Sequence, residues 1–178
     1  MNIESLLNES KIQNITYHGY VLTSKFDESH QTKFSNSIGF HIGSKYVRIF
    51  SSKTALHSIL ITGIQNQSQL DYVLSQLDCV VLSIEPVLIN IKTIIGIQSI
   101  DLYELSNKLR ALNEFDTIVY DNLLHSSLRI KNEHCTLMLF RTGTILLSVK
   151  SFRFIKNAYK KVLKLLKLLN SPQIQEKM

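Results

Sequence analysis

Cysteine, proline and glycine are all scarce in this chain of 178 residues, at two, two and six. Cys79 and Cys135 are far apart and form no Cys-x-x-Cys pair, which excludes a disulfide scaffold and fits a reducing compartment. The adjoining His134-Cys135 lacks the two further ligands a structural zinc site needs. Six glycines leave little scope for a phosphate cradle, and no paired carboxylates or Ser/His/Asp set can be picked out. The expectation is a protein that is not an enzyme, with no cofactor and no metal. Long apolar runs are missing too. The most apolar window, Val80 to Ile100, is broken by Glu85, Pro86, Lys92 and Gln98, and so is a poor membrane span. The first ten residues lack the basic start and apolar run of a signal peptide, so a soluble, intracellular protein is expected.

What is present bounds the rest. Hydrophobic residues make up 44% of the chain, enough for a real core, and a charged fraction of 19% is too low for a disordered polyelectrolyte. The formal net charge of +6 favours anionic partners such as nucleic acid or acidic protein surfaces. Lys150, Arg153, Lys156, Lys160, Lys161, Lys164 and Lys167 follow one another with no acid among them. The Ile-, Asn-, Lys- and Ser-rich composition points to an AT-rich genome, that of a parasite or a large DNA virus. Localisation is thereby left open between a nucleus and, for a virus, a cytoplasmic factory or the virion.

The chain also repeats itself loosely. Ile12-Gln13-Asn14-Ile15-Thr16 answers to Ile91-Lys92-Thr93-Ile94-Ile95, Val47-Arg48-Ile49-Phe50 to Leu137-Met138-Leu139-Phe140, and Leu60-Ile61-Thr62-Gly63 to Leu146-Leu147-Ser148-Val149. This predicts two repeats, 1–79 and 80–170, followed by a tail at 171–178. Strands are expected over Ile12 to Leu22, Phe34 to Ile42, Tyr46 to Ser51 and His57 to Gly63, then a helix over Gln65 to Leu77. The second copy is expected to open with a strand over Ile89 to Ile97 and a helix over Leu102 to Leu112. Strands over Ser127 to Lys131, Thr136 to Arg141 and Thr144 to Lys150 follow, and a helix over Phe152 to Leu169. That helix has Ile155, Tyr159, Val162, Leu166 and Leu169 on its inward stripe. Both faces of Ile59 to Thr62 and of Ile145 to Ser148 are apolar, yet one helix per copy covers only one face. The other face must therefore meet something else.

In this order, with this duplication, Ile12-Gln13-Asn14-Ile15, Arg48-Ile49-Phe50-Ser51-Ser52, Ile61-Thr62-Gly63 and the stretch from Tyr120-Asp121 through Leu137-Met138-Leu139-Phe140 resemble the TATA-box-binding protein family, from about Ile12 to Leu169. The resemblance implies an α+β fold of two pseudo-symmetric repeats. They would form a curved antiparallel sheet, a saddle, with helices on its convex side and the DNA minor groove beneath it. This family is the standard example of phenylalanine wedges that enter base steps and kink a duplex. Carried over by position, Asn14 is a central groove asparagine with Thr93 as its counterpart, and Thr62 is paired with Ser148. Thr16, Leu60, Ile95 and Leu146 become groove-facing apolar positions. Phe34 and Phe50 form one wedge pair, and Phe140 with His125 the other. Arg48 and Met138 replace leucines on that face, and Ser148-Val149 replaces a second Thr-Gly pair. The turn at Tyr120, Asp121, Leu123 and Leu124 resembles the stirrup gripped by the factor that bridges to RNA polymerase. Lys156, Lys160 and Lys164 lie on the helix that resembles the regulator-docking one.

Each of these residues has a plainer reading. The phenylalanines could be core aromatics, Asn14 could bond local backbone, Thr62 and Ser148 are ordinary strand residues, His125 could be a loop histidine, and the lysines could be a solvated face. Two functions remain open. One is a transcription initiation factor that binds and bends AT-rich double-stranded promoter DNA and recruits polymerase-bridging and regulatory factors. The other is a protein-interaction scaffold, a subunit of a larger transcription complex without specific TATA recognition, which Arg48, Met138, His125 and Val149 favour.

Overall fold

The computed structural model describes residues 8–23, 36–97, 99–121 and 126–169. Two compact units divide the chain, one spanning Gln13–Ile89 and the other combining the residues up to Ile12 with those from Asn90 onward. The first contains β1 (Lys11–Leu22) from Gln13 onward, β2 (Ser37–Ile42), β3 (Lys45–Phe50), β4 (Leu56–Ile64), α1 (Gln67–Ser75) and the opening part of β5 (Val80–Ile94). The second contains the rest of β5, then α2 (Leu102–Leu112), β6 (Thr117–Val119), β7 (Ser127–Asn132), β8 (Cys135–Phe140), β9 (Thr144–Val149) and α3 (Ile155–Leu169). A 3-10 turn over Phe152–Phe154 leads into α3. Strands lie in the order β2-β3-β4-β1-β5 in one unit and β5-β9-β8-β7-β6 in the other.

Alternation of side chains decides which face of each strand is packed. In the first unit Ile15, Tyr17, Val21, Val47, Ile49, Ile59 and Ile61 are buried, while their neighbours in sequence are half-buried or exposed. α1 lies against β4 on that side, burying Leu70 and Val73. The second unit repeats the scheme with Leu128, Ile130, Leu137, Leu139, Ile145, Leu147 and Val149, under α2 and α3. Tyr159, Val162, Leu166 and Leu169 of the expected stripe are buried, with Ala158 and Leu165 beside them. Complete burial of an aliphatic side chain such as Ile59 is worth about 1.5–3 kcal/mol, so the alternation fixes the register firmly.

Capping residues set the helix ends. Asn66 accepts from the Gln69 amide at 3.0 Å and opens α1, and Asp101 accepts from the Glu104 amide at 2.9 Å and opens α2. Asn113, with φ of 49°, closes α2 in the left-handed region that asparagine tolerates.

Two elements depart from the sequence expectation. β5 begins at Val80, well before Ile89, and runs through Pro86. A proline inside an apolar run normally argues against a strand, so sequence pattern alone does not announce the earlier half. β6 is likewise unannounced, since three residues carry too little pattern to mark a strand.

Candidate nucleic-acid interface

Residues of the unpacked parity form an open sheet face in each unit. In the Gln13–Ile89 unit, Leu60 sits between His18 on β1 and Arg48 on β3, and Ser58 between Tyr20 and Phe50; Thr62 pairs with Tyr46. Asn14 and Thr16 continue that parity along β1, both half-buried. In the other unit Leu146 pairs with Met138 and Met138 with Arg129, while Ser148 pairs with Thr136.

The two hairpins carry their aromatic residues in the same place. Phe50 is the last residue of β3 and lies opposite Ser37, the first of β2; Phe140 is the last residue of β8 and lies opposite Ser127, the first of β7. Both phenylalanines are half-buried on the open face and do not belong to the packed core. Of the other expected contacts, Asn14, Thr16, Arg48, Leu60, Thr62, Met138, Leu146 and Ser148 also lie on that face. Phe34 and His125 fall outside the described residues, as do Leu123 and Leu124 of the expected stirrup.

Thr93 and Ile95 require a correction. Expected on the open face, they are instead 4% and 2% exposed, Thr93 on the packed side of β5 and Ile95 just past its end. The Thr93 hydroxyl is hydrogen-bonded to that of Ser10. The cause is register. Aligning Asn14 with Thr93 is three residues off, and an odd slip turns every side chain to the opposite face. The alternation instead matches Gln13-Asn14-Ile15-Thr16 with Ile89-Asn90-Ile91-Lys92, since Ile15 and Ile91 are both buried and Asn14 and Asn90 both face the other way. Asn90, Lys92 and Ile94 therefore belong to the open face. The shared Asn-Ile dipeptide is the signal for this, and the more numerous isoleucines further on obscure it.

Hydrogen bonds organise both faces. Ser148 Oγ donates to Asn90 Oδ1 at 2.6 Å. His18 Nε2 and Ser58 Oγ are 2.8 Å apart, and the His18 ring meets Tyr20 edge-on at 5.4 Å. The Arg48 guanidinium donates to the Tyr46 hydroxyl at 3.3 Å and lies 5.5 Å from the Tyr46 ring centroid and 5.9 Å from that of Phe50. Such placements over ring faces are cation–π contacts. Arg129 and Lys131 stand exposed on β7, so cations border the open face of this unit.

The ends of β4 and β9 show what the Ser148-Val149 replacement does. Ile15 pairs with Ile64 and Tyr17 with Ile61, so β4 holds one residue more than β1 over that interval. Gly63 absorbs it as a bulge at φ +86°, a conformation open to glycine, and Ile64 returns to the core. In β9 burial alternates without interruption through Ser148 to Val149, which is itself fully buried.

Elsewhere, Tyr120 receives a hydrogen bond from Arg141 at 3.1 Å, and that bond holds the Arg141 guanidinium above its usual pKa. Asp121 follows it, half-buried. Lys156, Lys160 and Lys164 are exposed on α3, and Lys164 pairs with Glu114 at 2.7 Å. Among the described residues no group of three His, Cys, Asp or Glu side chains could hold a metal ion.

Among solved structures, the chain is similar to the TATA-box-binding protein of Methanococcus jannaschii. The TM-score is 0.65, and the match covers 91% of this chain and 99% of that one at 15% sequence identity. No family model and no curated protein matches. The chain therefore has the fold of TATA-box-binding protein, as its sequence resemblance implied, and at this identity the likeness speaks for the fold alone.

Proposed function

We propose that this chain is a non-enzymatic DNA-binding transcription factor of the TATA-box-binding type, which lays its open sheet faces on an AT-rich minor groove and bends the duplex. The observation that carries this reading is the equivalent placement of Phe50 and Phe140, each at the open-face end of a hairpin strand. Apolar rings so placed can enter a base step and unstack it, and the cost is repaid by the contact that bent DNA makes. Asn90 supports it as well. Its side chain lies on the open face, held by Ser148 at 2.6 Å, where an amide can meet the minor-groove edge of a base. Lys92, Arg129 and Lys131 supply cations for phosphates. Partners on the protein side are a polymerase-bridging factor at Tyr120, Asp121, Leu123 and Leu124, and acidic regulators at Lys156, Lys160 and Lys164.

The test is a fluorescence bend assay on an AT-rich duplex. Wild type should shorten the end-to-end distance, Phe50→Ala and Phe140→Ala should each reduce the bend, and affinity should fall steeply with salt. Unchanged bending in both variants would defeat the wedge role. A second reading, a scaffold for protein partners, draws on Arg48 and Met138, which put a guanidinium and a thioether in the middle of the two faces. Absence of DNA binding at every salt concentration, together with a copurifying protein on the sheet face, would select it.

A further inference from the structure

The open face of the Gln13–Ile89 unit carries rings and a guanidinium on both sides of the aliphatic Leu60. His18 and Tyr20 stand along β1, and Tyr46, Arg48 and Phe50 along β3. Between them β4 presents only Ser58, Leu60 and Thr62. Two raised rails thus border a lower strip, about 9.6 Å apart at the usual strand spacing. His41 extends the β3 rail onto β2, with its ring 5.1 Å from that of Tyr46.

We infer that this face binds unpaired bases of a single-stranded nucleic acid by stacking them on Tyr20, Tyr46 and Phe50, with the Arg48 guanidinium, set against the Tyr46 and Phe50 rings, adding positive charge beside the strand. Tyr46 and Phe50, four residues apart on β3, are about 13 Å apart along the strand, and Tyr20 lies about 9.6 Å across the sheet from Phe50. Successive bases of a duplex are only about 3.4 Å apart and stacked on one another, so their faces are closed to these rings. An unstacked strand offers one base face to each ring. Aromatic platforms with an arginine close by are the general means of holding such strands with little regard for sequence. Charge agrees, since the chain carries +6 and the ligand is a polyanion. Tyr20 is 46% exposed, so this residue is accessible to a ligand on the sheet face. The inference does not rest on the duplex reading, because it uses a different property of this face and one unit only.

Fluorescence anisotropy with labelled mixed-sequence 12-mers of DNA and of RNA, alongside an AT-rich duplex, tests it. The chain contains no tryptophan, so intrinsic emission comes from its seven tyrosines, and the difference between wild type and the Tyr20→Leu and Tyr46→Leu variants assigns the quenching to these two rings. Wild type should bind the single strands with quenched tyrosine emission. Tyr20→Leu and Tyr46→Leu should each weaken that binding about tenfold or more. Tyr46→Phe, which keeps the ring, should bind as wild type. If Tyr46→Leu melts early, Tyr20→Leu at the exposed ring still decides. Equal affinity for both 12-mers assigns recognition to the base faces, and a preference for one identifies the sugar that is read. Phe140→Ala, in the other unit, should weaken duplex bending and leave single-strand binding intact, which separates the two readings. No single-strand binding by wild type, or unchanged binding and quenching in Tyr20→Leu and Tyr46→Leu, would overturn the inference.

Discussion

The hydroxyl of Ser148 donates to the side-chain oxygen of Asn90 across 2.6 Å, tying β9 to β5 on the unpacked face. Burial alternation makes Asn90, and not Thr93, the counterpart of Asn14, and the bond places Asn90 beside Ser148. It also gives the replaced Thr-Gly pair a role, because a serine hydroxyl fixes the amide as well as a threonine would.

Asn90→Ala should therefore weaken duplex binding by about tenfold, the loss of one or two hydrogen bonds, with a melting temperature close to wild type. Thr93→Val should do the reverse. It removes a buried hydroxyl that is bonded to Ser10, costing about 1–3 kcal/mol of stability and no affinity. Chemical denaturation and anisotropy on the same two variants check both. Equal affinity losses would sink the register correction.

Neighbours in sequence should behave oppositely wherever a strand has one packed face. Ile61→Ala and Leu147→Ala empty core positions and should cost about 2–5 kcal/mol. Leu60→Ala and Leu146→Ala, one residue earlier and on the open face, should cost well under that and should impair DNA binding instead. Denaturant midpoints for the four proteins suffice to check the faces.

Much of the fold is legible in the sequence, and the reasons are local. The Val47–Phe50 and Leu137–Phe140 hairpin strands announce themselves as short apolar and aromatic runs bounded by turn residues such as Gly43-Ser44, Asn132-Glu133 and Thr142-Gly143. Their correspondence holds down to the serine opposite each phenylalanine. Leu102 to Leu112 is a helix over the range expected, since an aspartate cap and a leucine stripe agree. β5 resists reading because Val80 to Ile95 is apolar at both parities, so periodicity does not set its phase and Pro86 argues for a break. Lys92, Arg129 and Lys131 give no sign of lying on the open face, because charge on a strand says nothing about its face until the register is known.

Gly143 anchors the turn just after Phe140. It has φ of +75°, its amide donates to Phe140 at 3.0 Å, and its carbonyl accepts from Ile95 at 2.8 Å. An added Cβ would meet the carbonyl oxygens of Ile95 and Ile97. Gly143→Ala should cost about 1–3 kcal/mol through strain and crowding, or about 2–4 °C in Tm for each kcal/mol. Differential scanning calorimetry reads this. An unchanged Tm would mean that the turn relaxes freely.

Both thiols are held above the ordinary thiol range. For Cys135 burial is the main cause, with Lys161 pulling down and Asp116 pushing up; for Cys79 it is burial, then Asp78. Each should stay protonated at neutral pH and react slowly with a maleimide, the rate still climbing above pH ~8.5, the usual thiol pKa. A raised acid of this kind adds stability that is complete below its unfolded pKa and is lost as pH rises through the folded one. Any thiol contribution to unfolding should thus appear only on the alkaline side. Fast labelling of both cysteines at pH 7 would contradict this.

Lys92 is expected to act on backbone phosphate. Lys92→Ala should weaken binding to AT-rich and mixed duplexes alike and reduce the slope of log K against log salt by about 1. A change confined to one sequence would show instead that the lysine reads bases.

The bulge at Gly63 leaves the two copies of the building block unequal in length by one residue. A chimera that exchanged the stretch after Ile61 for that after Leu147, matched residue for residue, would turn Ile64 outward or bury its neighbour. Graft designs between the halves, and any ungapped comparison of them, must drop or insert a single residue at that point to keep inside and outside straight.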